Sequence, residues 1–182
     1  MRIIAGVLRG RSLVAPKGHS TRPTADSTRQ AIFNVLEHAA FGRAPAGLKV
    51  ADLFAGAGAM GLEALSRGAL SCLFIDNDRA AVGAIEANLA RLGLADRASA
   101  RFGDARSLGQ RSAFDLVFLD PPYGQGLAEE ALAVLVRDAR LAAGALAVVE
   151  RGVREGPVTA PGFEIVDERR WGAARVAFLR RP

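Results

Sequence analysis

Short apolar runs that alternate with helical patterns constrain the fold of this chain more than any other feature. The apolar runs predict five buried strands, at residues 50–54, 72–75, 98–102, 114–119 and 145–149. Apolar residues at helical spacing predict helices at residues 59–67, 79–92 and 127–139. Strands that alternate with helices along a chain pair in parallel, with the helices packed over the sheet. The sequence therefore predicts an α/β fold with a mostly parallel sheet.

The two ends of the chain depart from this alternation. Residues 163–166 and 175–179, separated by a turn at Trp171-Gly172, predict a terminal antiparallel pair. At the start, residues 3–5 and 12–15 predict a small hairpin, and residues 27–40 predict a helix. The Gly- and Pro-containing stretch at residues 42–47 predicts a linker. We therefore divide the chain into a basic N-terminal extension, residues 1–46, and a larger α/β domain, residues 47–182.

Charge is distributed unevenly over the 182 residues, which suffice for one domain with a sizeable core. The first 48 residues carry a net charge of +5, and the arginines from Arg169 onward add another +5 with no acid among them. The residues between carry −5. Basic flanks around an acidic centre suit a protein that holds a polyanion at its ends and a neutral or cationic small ligand in the middle.

The composition disfavours several classes of protein. No apolar run is long enough to span a membrane, and the start is too quickly charged for a signal peptide, so we expect a soluble cytoplasmic protein. The single cysteine, Cys72, excludes an internal disulfide, and His19 and His38 lack the spacing of a zinc site, so we expect no metal. Nothing in the apolar pattern demands a dimer, and we expect a monomer.

A glycine-rich loop follows the first strand of the predicted sheet. Gly56, Gly58 and Gly61 match the pattern G-x-G-x-x-G between a strand and a helix, and Asp76 comes about 20 residues later. Dinucleotide-binding proteins share this arrangement, with the acidic residue on ribose hydroxyls. Asp52, however, precedes the loop, where it would repel a pyrophosphate but favour the ammonium and sulfonium groups of S-adenosylmethionine. We therefore favour the cationic cofactor.

Carboxylates recur where successive strands of the predicted sheet end, at Asp52, Asp76, Asp104 and Asp120. Ligands of open α/β sheets bind outside the carboxyl ends of the strands, so we interpret the series as a ligand crevice. In this crevice Asp104 is expected to accept a hydrogen bond from an adenine amino group. The predicted cofactor-binding residues are Asp52, Phe54, Ala55, Gly56, Gly58, Asp76, Asn77, Asp104 and Ala105.

The tetrapeptide Asp120-Pro121-Pro122-Tyr123 directly follows the predicted strand at residues 114–119. Prolines have a fixed φ and no N–H to donate, which leaves backbone carbonyls available as acceptors. The Asp120 carboxylate and the Pro121 carbonyl are suited to accept the two N–H bonds of an exocyclic amine and to turn its lone pair towards a methyl group. Tyr123 is suited to stack on a base that has left its own stack. We predict these four residues as the catalytic site of a methyl transfer.

Together these segments resemble the RsmD-type methyltransferases, which modify a guanine N2 in small-subunit ribosomal RNA. The resemblance spans nearly the whole chain. In the extension it rests on Arg2-Ile3-Ile4-Ala5-Gly6, Arg9-Gly10-Arg11 and Thr21-Arg22-Pro23-Thr24-Ala25-Asp26. In the remainder it rests on Phe33-Asn34, the glycine loop from Asp52 to Ala59, residues 61–69 and the tetrapeptide.

The resemblance implies a seven-stranded, Rossmann-like class I methyltransferase fold with helices on both faces, and S-adenosylmethionine as methyl donor. It implies as substrate 16S rRNA within an assembling small subunit, with the specificity of the 16S rRNA (guanine(966)-N(2))-methyltransferase type. Three departures stand out. Ser27-Thr28-Arg29-Gln30 replaces the usual Arg, apolar residue, Arg and Glu, so one expected contact is missing there, while Asp76 replaces the usual Glu and Trp171 an aromatic that is often Tyr.

Basic residues of the extension are the predicted RNA contacts, chiefly to phosphate: Arg2, Arg9, Arg11, Lys17, Arg22 and Arg29. An alternative RNA surface lies at residues 169–181.

Three alternatives in function also remain open. They are an amino-methyltransferase of this fold acting on DNA adenine or protein glutamine, a dinucleotide-dependent oxidoreductase, and a non-catalytic RNA-binding protein. The short chain argues against the first, and Asp52 with the tetrapeptide argues against the second.

Overall fold

The structure, a computed structural model, describes residues 1–16, 26–108 and 113–182. The helices in these ranges are α1 (Asp26–His38), α2 (Ala59–Ser66), α3 (Arg79–Leu92) and α4 (Leu127–Arg137). The strands are β1 (Lys49–Leu53), β2 (Ser71–Asp76), β3 (Ala98–Phe102), β4 (Phe114–Leu119), β5 (Leu141–Gly152), β6 (Glu164–Trp171) and β7 (Ala174–Arg180). Every predicted helix and strand of the α/β pattern is present. No helix in the described ranges has the length and apolarity needed to cross a membrane.

The seven strands form one sheet in the order β3-β2-β1-β4-β5-β7-β6. The strands from β1 to β5 run parallel, whereas β7 pairs antiparallel with both β5 and β6. Strand order reverses at β1, because β2 and β3 extend the sheet on one side and β4 and β5 on the other. Open α/β sheets bind their ligands at such a reversal. The predicted seven-stranded, mostly parallel sheet is confirmed.

Helices cover both faces of the sheet because buried strand residues alternate between two apolar clusters. On one face, Leu116 and Phe118 of β4 share a cluster with residues of α1, α2 and α3. On the other face, Val117 and Leu119 share a cluster with residues of α4. β4 is therefore buried on both sides, as the uninterrupted apolar run in its sequence predicts.

Local chemistry fixes where α2 and α3 lie. The Asp78 side chain accepts a hydrogen bond from the Ala80 N–H (2.8 Å) at the start of α3, and Gly93 ends that helix in a left-handed conformation (φ 68°). α2 lies close to the sheet at Gly61, where an added Cβ would come within 2.3 Å of the Phe74 ring. A larger residue at position 61 would therefore push α2 away from β2.

The N-terminal extension begins with the predicted hairpin, in which Arg2 and Ser12 form an antiparallel bridge. Ile3 and Leu13 point into the protein and are buried in the same apolar cluster as Leu62 of α2. α1, which corresponds to the predicted helix of the extension, contributes buried residues to that cluster as well. The extension therefore shares one core with the sheet, and the boundary at residue 46 stays a prediction.

Polar side chains of α2 and α3 hold this hairpin in place. The buried carboxylate of Glu63 accepts hydrogen bonds from the Ile4 N–H (2.8 Å) and the Ala5 N–H (2.9 Å). The buried Asn88 amide accepts from the Val14 N–H (2.8 Å) and donates to the Val14 carbonyl (3.0 Å). These bonds satisfy backbone groups that the short hairpin leaves unpaired.

Candidate active site

The register of the sheet brings the predicted cofactor and catalytic residues to one edge. Leu53 at the end of β1 pairs with Ile75 near the end of β2 and with Leu119 at the end of β4. The glycine loop and the tetrapeptide therefore start at the same level on neighbouring strands. Asp76 ends β2 beside them. This edge is the carboxyl end of the parallel strands, where the ligand crevice was predicted.

The glycine loop has an unusual backbone that leaves room above it. Phe54 (φ 61°), Gly56 (φ 55°) and Gly58 (φ 76°) all lie in the left-handed region. A residue with a large side chain, such as Phe54, rarely adopts this backbone conformation. An added Cβ at Gly56 would meet nothing within 4 Å. Asp76 fixes the loop, because one of its carboxylate oxygens accepts a hydrogen bond from the Gly56 N–H (2.7 Å).

Asp52 lies beneath the loop and is 4% exposed. Its carboxylate accepts a hydrogen bond from the Gly61 N–H (2.8 Å), which ties the end of β1 to the first turn of α2. Burial raises the pKa of Asp52 to about 7, and the neighbouring charge of Asp76 acts in the same direction, while the bond from Gly61 opposes both. The crevice thus contains a carboxylate that changes charge near neutral pH.

Asp104 stands at the outer end of the crevice, beyond β3. It is exposed, and its carboxylate pairs with the Arg106 guanidinium (2.6 Å), which also pairs with Glu130 (2.6 Å). Hydrogen bonds from Arg106 hold the pKa of Asp104 below its ordinary value. Ala105 beside it is buried, whereas Asn77 at the end of β2 is exposed. The expected contact of Asp104 with an adenine amino group stays a prediction, and in this structure Arg106 occupies its carboxylate.

The four residues of the tetrapeptide differ in solvent exposure: Pro121 is buried, Asp120 and Tyr123 are half-buried, and Pro122 is exposed. The Tyr123 ring lies against the end of β5, so closely that a Cβ added at Gly152 would be 2.8 Å from it. The Tyr123 hydroxyl lies 3.5 Å from a carboxylate oxygen of Glu150 and is positioned to donate to it. The ring is therefore held at a fixed place beside Asp120.

The sequence prediction missed three charged residues around the tetrapeptide, which are Glu150, Arg151 and Glu155. Glu155 accepts hydrogen bonds from the Gly152 N–H (2.8 Å) and the Gly124 N–H (3.0 Å) and so ties the loop after Tyr123 to β5. Partial burial raises the pKa of Glu155, but these two N–H groups and Arg151 outweigh it, and the net pKa is lowered. Glu150 had a detectable signal, because it follows a buried apolar run in the way that Asp120 follows β4.

The predicted RNA contacts of the extension divide into three groups. Arg2, Arg9 and Arg11 are exposed on the hairpin. Lys17 and Arg22 lie outside the described residues. The prediction for Arg29 is corrected, because its side chain is 0% exposed and donates to the Arg2 carbonyl (2.6 Å) and to the neighbouring Asp26 (2.9 Å).

Arg29 also lies 3.7 Å from the buried carboxylate of Glu63. A buried arginine that satisfies a buried acid and a backbone carbonyl is a structural residue of the hairpin. It offers no guanidinium surface to a phosphate.

Arginines of the C-terminal flank are largely paired within the antiparallel strands. Arg169 pairs with Asp167 (2.8 Å) inside β6. Across the β6–β7 pair, Arg175 and Arg180 meet acids of β6 at 3.0 Å and 2.8 Å. The positive charge of residues 169–181 is therefore offset by acids that directly precede it in the sequence, which favours the hairpin as the basic surface.

The geometry described above agrees with comparisons to known proteins. A family model described as "Conserved hypothetical protein 95" matches residues 1–180. The ribosomal RNA small subunit methyltransferase D of Escherichia coli K12 is 38% identical over 164 residues, which cover 88% of this chain and 79% of that protein. The chain belongs to the RsmD family.

Other members and structures extend this result. The Haemophilus influenzae ribosomal RNA small subunit methyltransferase D is 31% identical over 180 residues, 94% of this chain and 89% of that protein. The solved structure of the Escherichia coli protein yhhF superposes with a TM-score of 0.87 at 38% identity and covers 100% of this chain and 97% of that one. The similarity of RsmD relatives therefore includes the extension as well as the sheet, and the predicted class I methyltransferase fold is confirmed.

Proposed function

We propose that this protein transfers a methyl group from S-adenosylmethionine to the exocyclic N2 of a guanine in 16S rRNA. The observation that carries the proposal is the register of β1 and β4, which sets the glycine loop and the tetrapeptide side by side at the reversal of strand order. Membership of the RsmD family, whose named relatives are small-subunit rRNA methyltransferases, supports the same reaction. The protein is proposed to act as a cytoplasmic monomer on an assembling small subunit.

The residues of the glycine loop fit S-adenosylmethionine. The open space above Gly56 admits a ligand against the backbone, as glycine loops do in nucleotide sites. Asp52 and Asp76 provide carboxylate oxygens as acceptors in the crevice, which suits an ammonium, a sulfonium and ribose hydroxyls. When bound, the cofactor supplies an electrophilic methyl group. Phe54, Ala55, Asn77, Asp104 and Ala105 complete the proposed binding surface.

The tetrapeptide provides what a poor nucleophile needs. The lone pair of an exocyclic guanine amine is delocalised into the ring, so the enzyme must localise it before it can attack. The Asp120 carboxylate and the Pro121 carbonyl are proposed to accept the two N–H bonds, and the carboxylate then stabilises the positive charge that develops on nitrogen. Tyr123, held against Gly152, is proposed to stack on the flipped base while Pro122 bounds the site.

The exposed arginines of the hairpin are proposed to bind RNA phosphates. Arg2, Arg9 and Arg11 lie on one small element that Glu63 and Asn88 anchor to α2 and α3. Binding there places the RNA on a rigid support next to the glycine loop, because Asn88 also donates to the carbonyl of Ala57 in that loop (3.5 Å). Lys17 and Arg22 are proposed to bind RNA phosphates as well.

Transfer of labelled methyl tests the proposal directly. Small-subunit particles that lack the modification, naked 16S rRNA and duplex DNA are incubated with labelled S-adenosylmethionine, and the labelled nucleosides are identified. N2-methylguanosine in the RNA is expected. N6-methyladenine in DNA, or no label despite cofactor binding, would show instead an adenine methyltransferase or a non-catalytic RNA-binding protein.

The Asp120→Ala variant tests the assignment of the catalytic carboxylate. Turnover is expected to fall by about 10²-fold or more, the scale of losing one preorganised electrostatic contact. Asp138→Ala is the matched control, because Asp138 ends α4 and its carboxylate pairs only along the chain with Arg137 among the contacts described for it. Near-normal turnover of Asp120→Ala, measured with saturating cofactor, contradicts the assignment.

A further inference from the structure

Glu150 is a buried carboxylate that the reaction described above does not use. Leu119 of β4 pairs with Val149 of β5, so Asp120 and Glu150 are the next residues on two adjacent parallel strands. Such neighbours lie about 5 Å apart across a sheet. Glu150 is 7% exposed and lines one pocket together with Pro121, Pro122 and Tyr123. A second carboxylate therefore stands beside the proposed catalytic one and lines a pocket with the three residues that follow Asp120.

The sheet also determines the direction of the Glu150 side chain. Val148, two residues earlier, belongs to the cluster on the α1–α3 face, and strand side chains alternate, so Glu150 projects from that same face. Val50 of β1 lies in the same cluster, and Asp52 follows it by two residues. The side chains of Glu150 and Asp52 thus project from the same face of the sheet.

The Watson–Crick edge of guanine carries two adjacent donor groups, the N2 amine and the N1–H. Adenine has an acceptor at N1 and no amine at C2. A site that holds the N2 amine against Asp120 brings the N1–H to a position next to it, where an acceptor discriminates guanine from purines with an unprotonated N1. A carboxylate has two oxygens and about four acceptor positions, so it can accept this bond together with another.

We propose that Glu150 accepts the N1–H of the target guanine and thereby selects this base. The inference rests on the proposed function and deepens it, since it assigns the residue that distinguishes guanine. Glu150 is a specificity-determining residue, and Asp120 remains the group on the reacting amine. The Tyr123 hydroxyl, 3.5 Å from the Glu150 carboxylate, orients the acceptor while its ring stacks on the base.

Replacement of guanine by 2-aminopurine at the methylated position tests the assignment. This base keeps the amine at C2 but has an acceptor at N1 and no oxygen at C6. 16S rRNA ligated from two pieces, with either base at the position that wild type methylates, is assembled into particles. kcat/KM is then measured for wild type, Glu150→Gln and Tyr123→Phe.

Wild type is expected to prefer guanine by about 10²-fold or more, because 2-aminopurine leaves a buried carboxylate facing a lone pair. Glu150→Gln loses a charge-assisted hydrogen bond and is expected to methylate guanine about 10- to 100-fold more slowly. Its amide NH₂ can donate to N1 of 2-aminopurine, so the preference for guanine is expected to shrink at least about tenfold. Binding of S-adenosylmethionine by Glu150→Gln should match wild type.

Tyr123→Phe keeps the carboxylate and should lose no more of the preference than Glu150→Gln. Two results overturn the inference. One is an unchanged preference in Glu150→Gln, and the other is a greater loss of preference in Tyr123→Phe than in Glu150→Gln, which would assign discrimination to the tyrosine. Should Glu150→Gln fail to fold, Glu150→Asp serves in its place. That variant withdraws the carboxylate by one methylene. It should slow the methylation of guanine without slowing that of 2-aminopurine. Failure of the proposed function is distinct, because wild type then labels no guanine at all.

Discussion

Asp52→Asn is expected to change the free energy of unfolding and the affinity for S-adenosylmethionine in opposite directions. The carboxylate is buried, and its pKa of about 7 lies well above the ordinary 3.8. At 1.36 kcal/mol for each pH unit, this difference corresponds to about 4 kcal/mol. Ionised Asp52 therefore destabilises the folded protein by about that amount at alkaline pH, unless a ligand offsets the charge.

The sign follows from where each state releases its proton. The unfolded chain loses the Asp52 proton near its ordinary pKa of 3.8, while the folded protein keeps it until about pH 7. The stabilising contribution of Asp52 is therefore complete below about pH 4 and is lost as pH rises to about 7. Asparagine keeps an acceptor for the Gly61 N–H but carries no charge. The variant should become more stable than wild type with rising pH, by up to about 4 kcal/mol above pH 7.

Urea unfolding of both proteins across about pH 4 to 8 measures this difference. Only the difference between the two curves belongs to Asp52, since all other titrating groups are common to both. Asp138→Asn provides a control whose difference from wild type should stay nearly flat over this range, because Arg137 lowers the pKa of that half-buried carboxylate and its titration lies at lower pH. Parallel curves for wild type and Asp52→Asn over this range would refute the assigned burial of charge.

Cofactor affinity is expected to move in the opposite direction. A bound cation favours ionised Asp52, so the affinity of wild type for S-adenosylmethionine should rise with pH up to about 7. Asp52→Asn should bind S-adenosylmethionine more weakly, and its affinity should lack this rise with pH. Calorimetric titration of both proteins separates the contribution of Asp52 from the titration of the cofactor's own groups, which is common to both measurements.

Three further substitutions test the hairpin and the loop. Glu63→Ala leaves the fully buried Arg29 with only the exposed Asp26 among the acids described for it and should cost about 3–5 kcal/mol in thermal unfolding, whereas an exposed surface pair is worth about 0–1. Glu155→Gln weakens the bond to the Gly124 N–H and should lower kcat by about tenfold with the cofactor Kd unchanged; a shift in Kd alone would argue against a positioning role. Arg11→Ala should reduce the slope of log affinity for RNA against log salt by about 1, and an unchanged slope places the phosphate elsewhere.

Much of the fold could be predicted because the strands near its centre are buried on both faces. The predicted bounds of β3, β4 and α3 coincide with those observed, since apolar runs or caps mark their ends. β6 extends to Trp171, well beyond the predicted residues 163–166. Its outer half is polar and is held by pairing with β7 and by ion pairs, which local sequence patterns do not reveal.

The candidate site was predictable to the extent that it sits at strand ends. Asp52, Asp76 and Asp120 could be placed at one edge because parallel strands finish there. The burial of Arg29 could not be predicted, because the buried acid beside it, Glu63, lies on another helix. The proposed role of Glu150 could not be predicted either, since only the pairing of β4 with β5 puts this residue beside Asp120.

The anchoring of the N-terminal hairpin has a consequence for the order of events during synthesis. Residues 1–16 leave the ribosome before the groups that satisfy their backbone, Glu63 and Asn88. The apolar surface of Ile3 and Leu13 joins a cluster that also includes residues of β7, which is translated later still. A nascent chain therefore keeps the hairpin undocked at least until α2 and α3 have been translated. Tethering residues 1–16 elsewhere should therefore slow the docking of the hairpin.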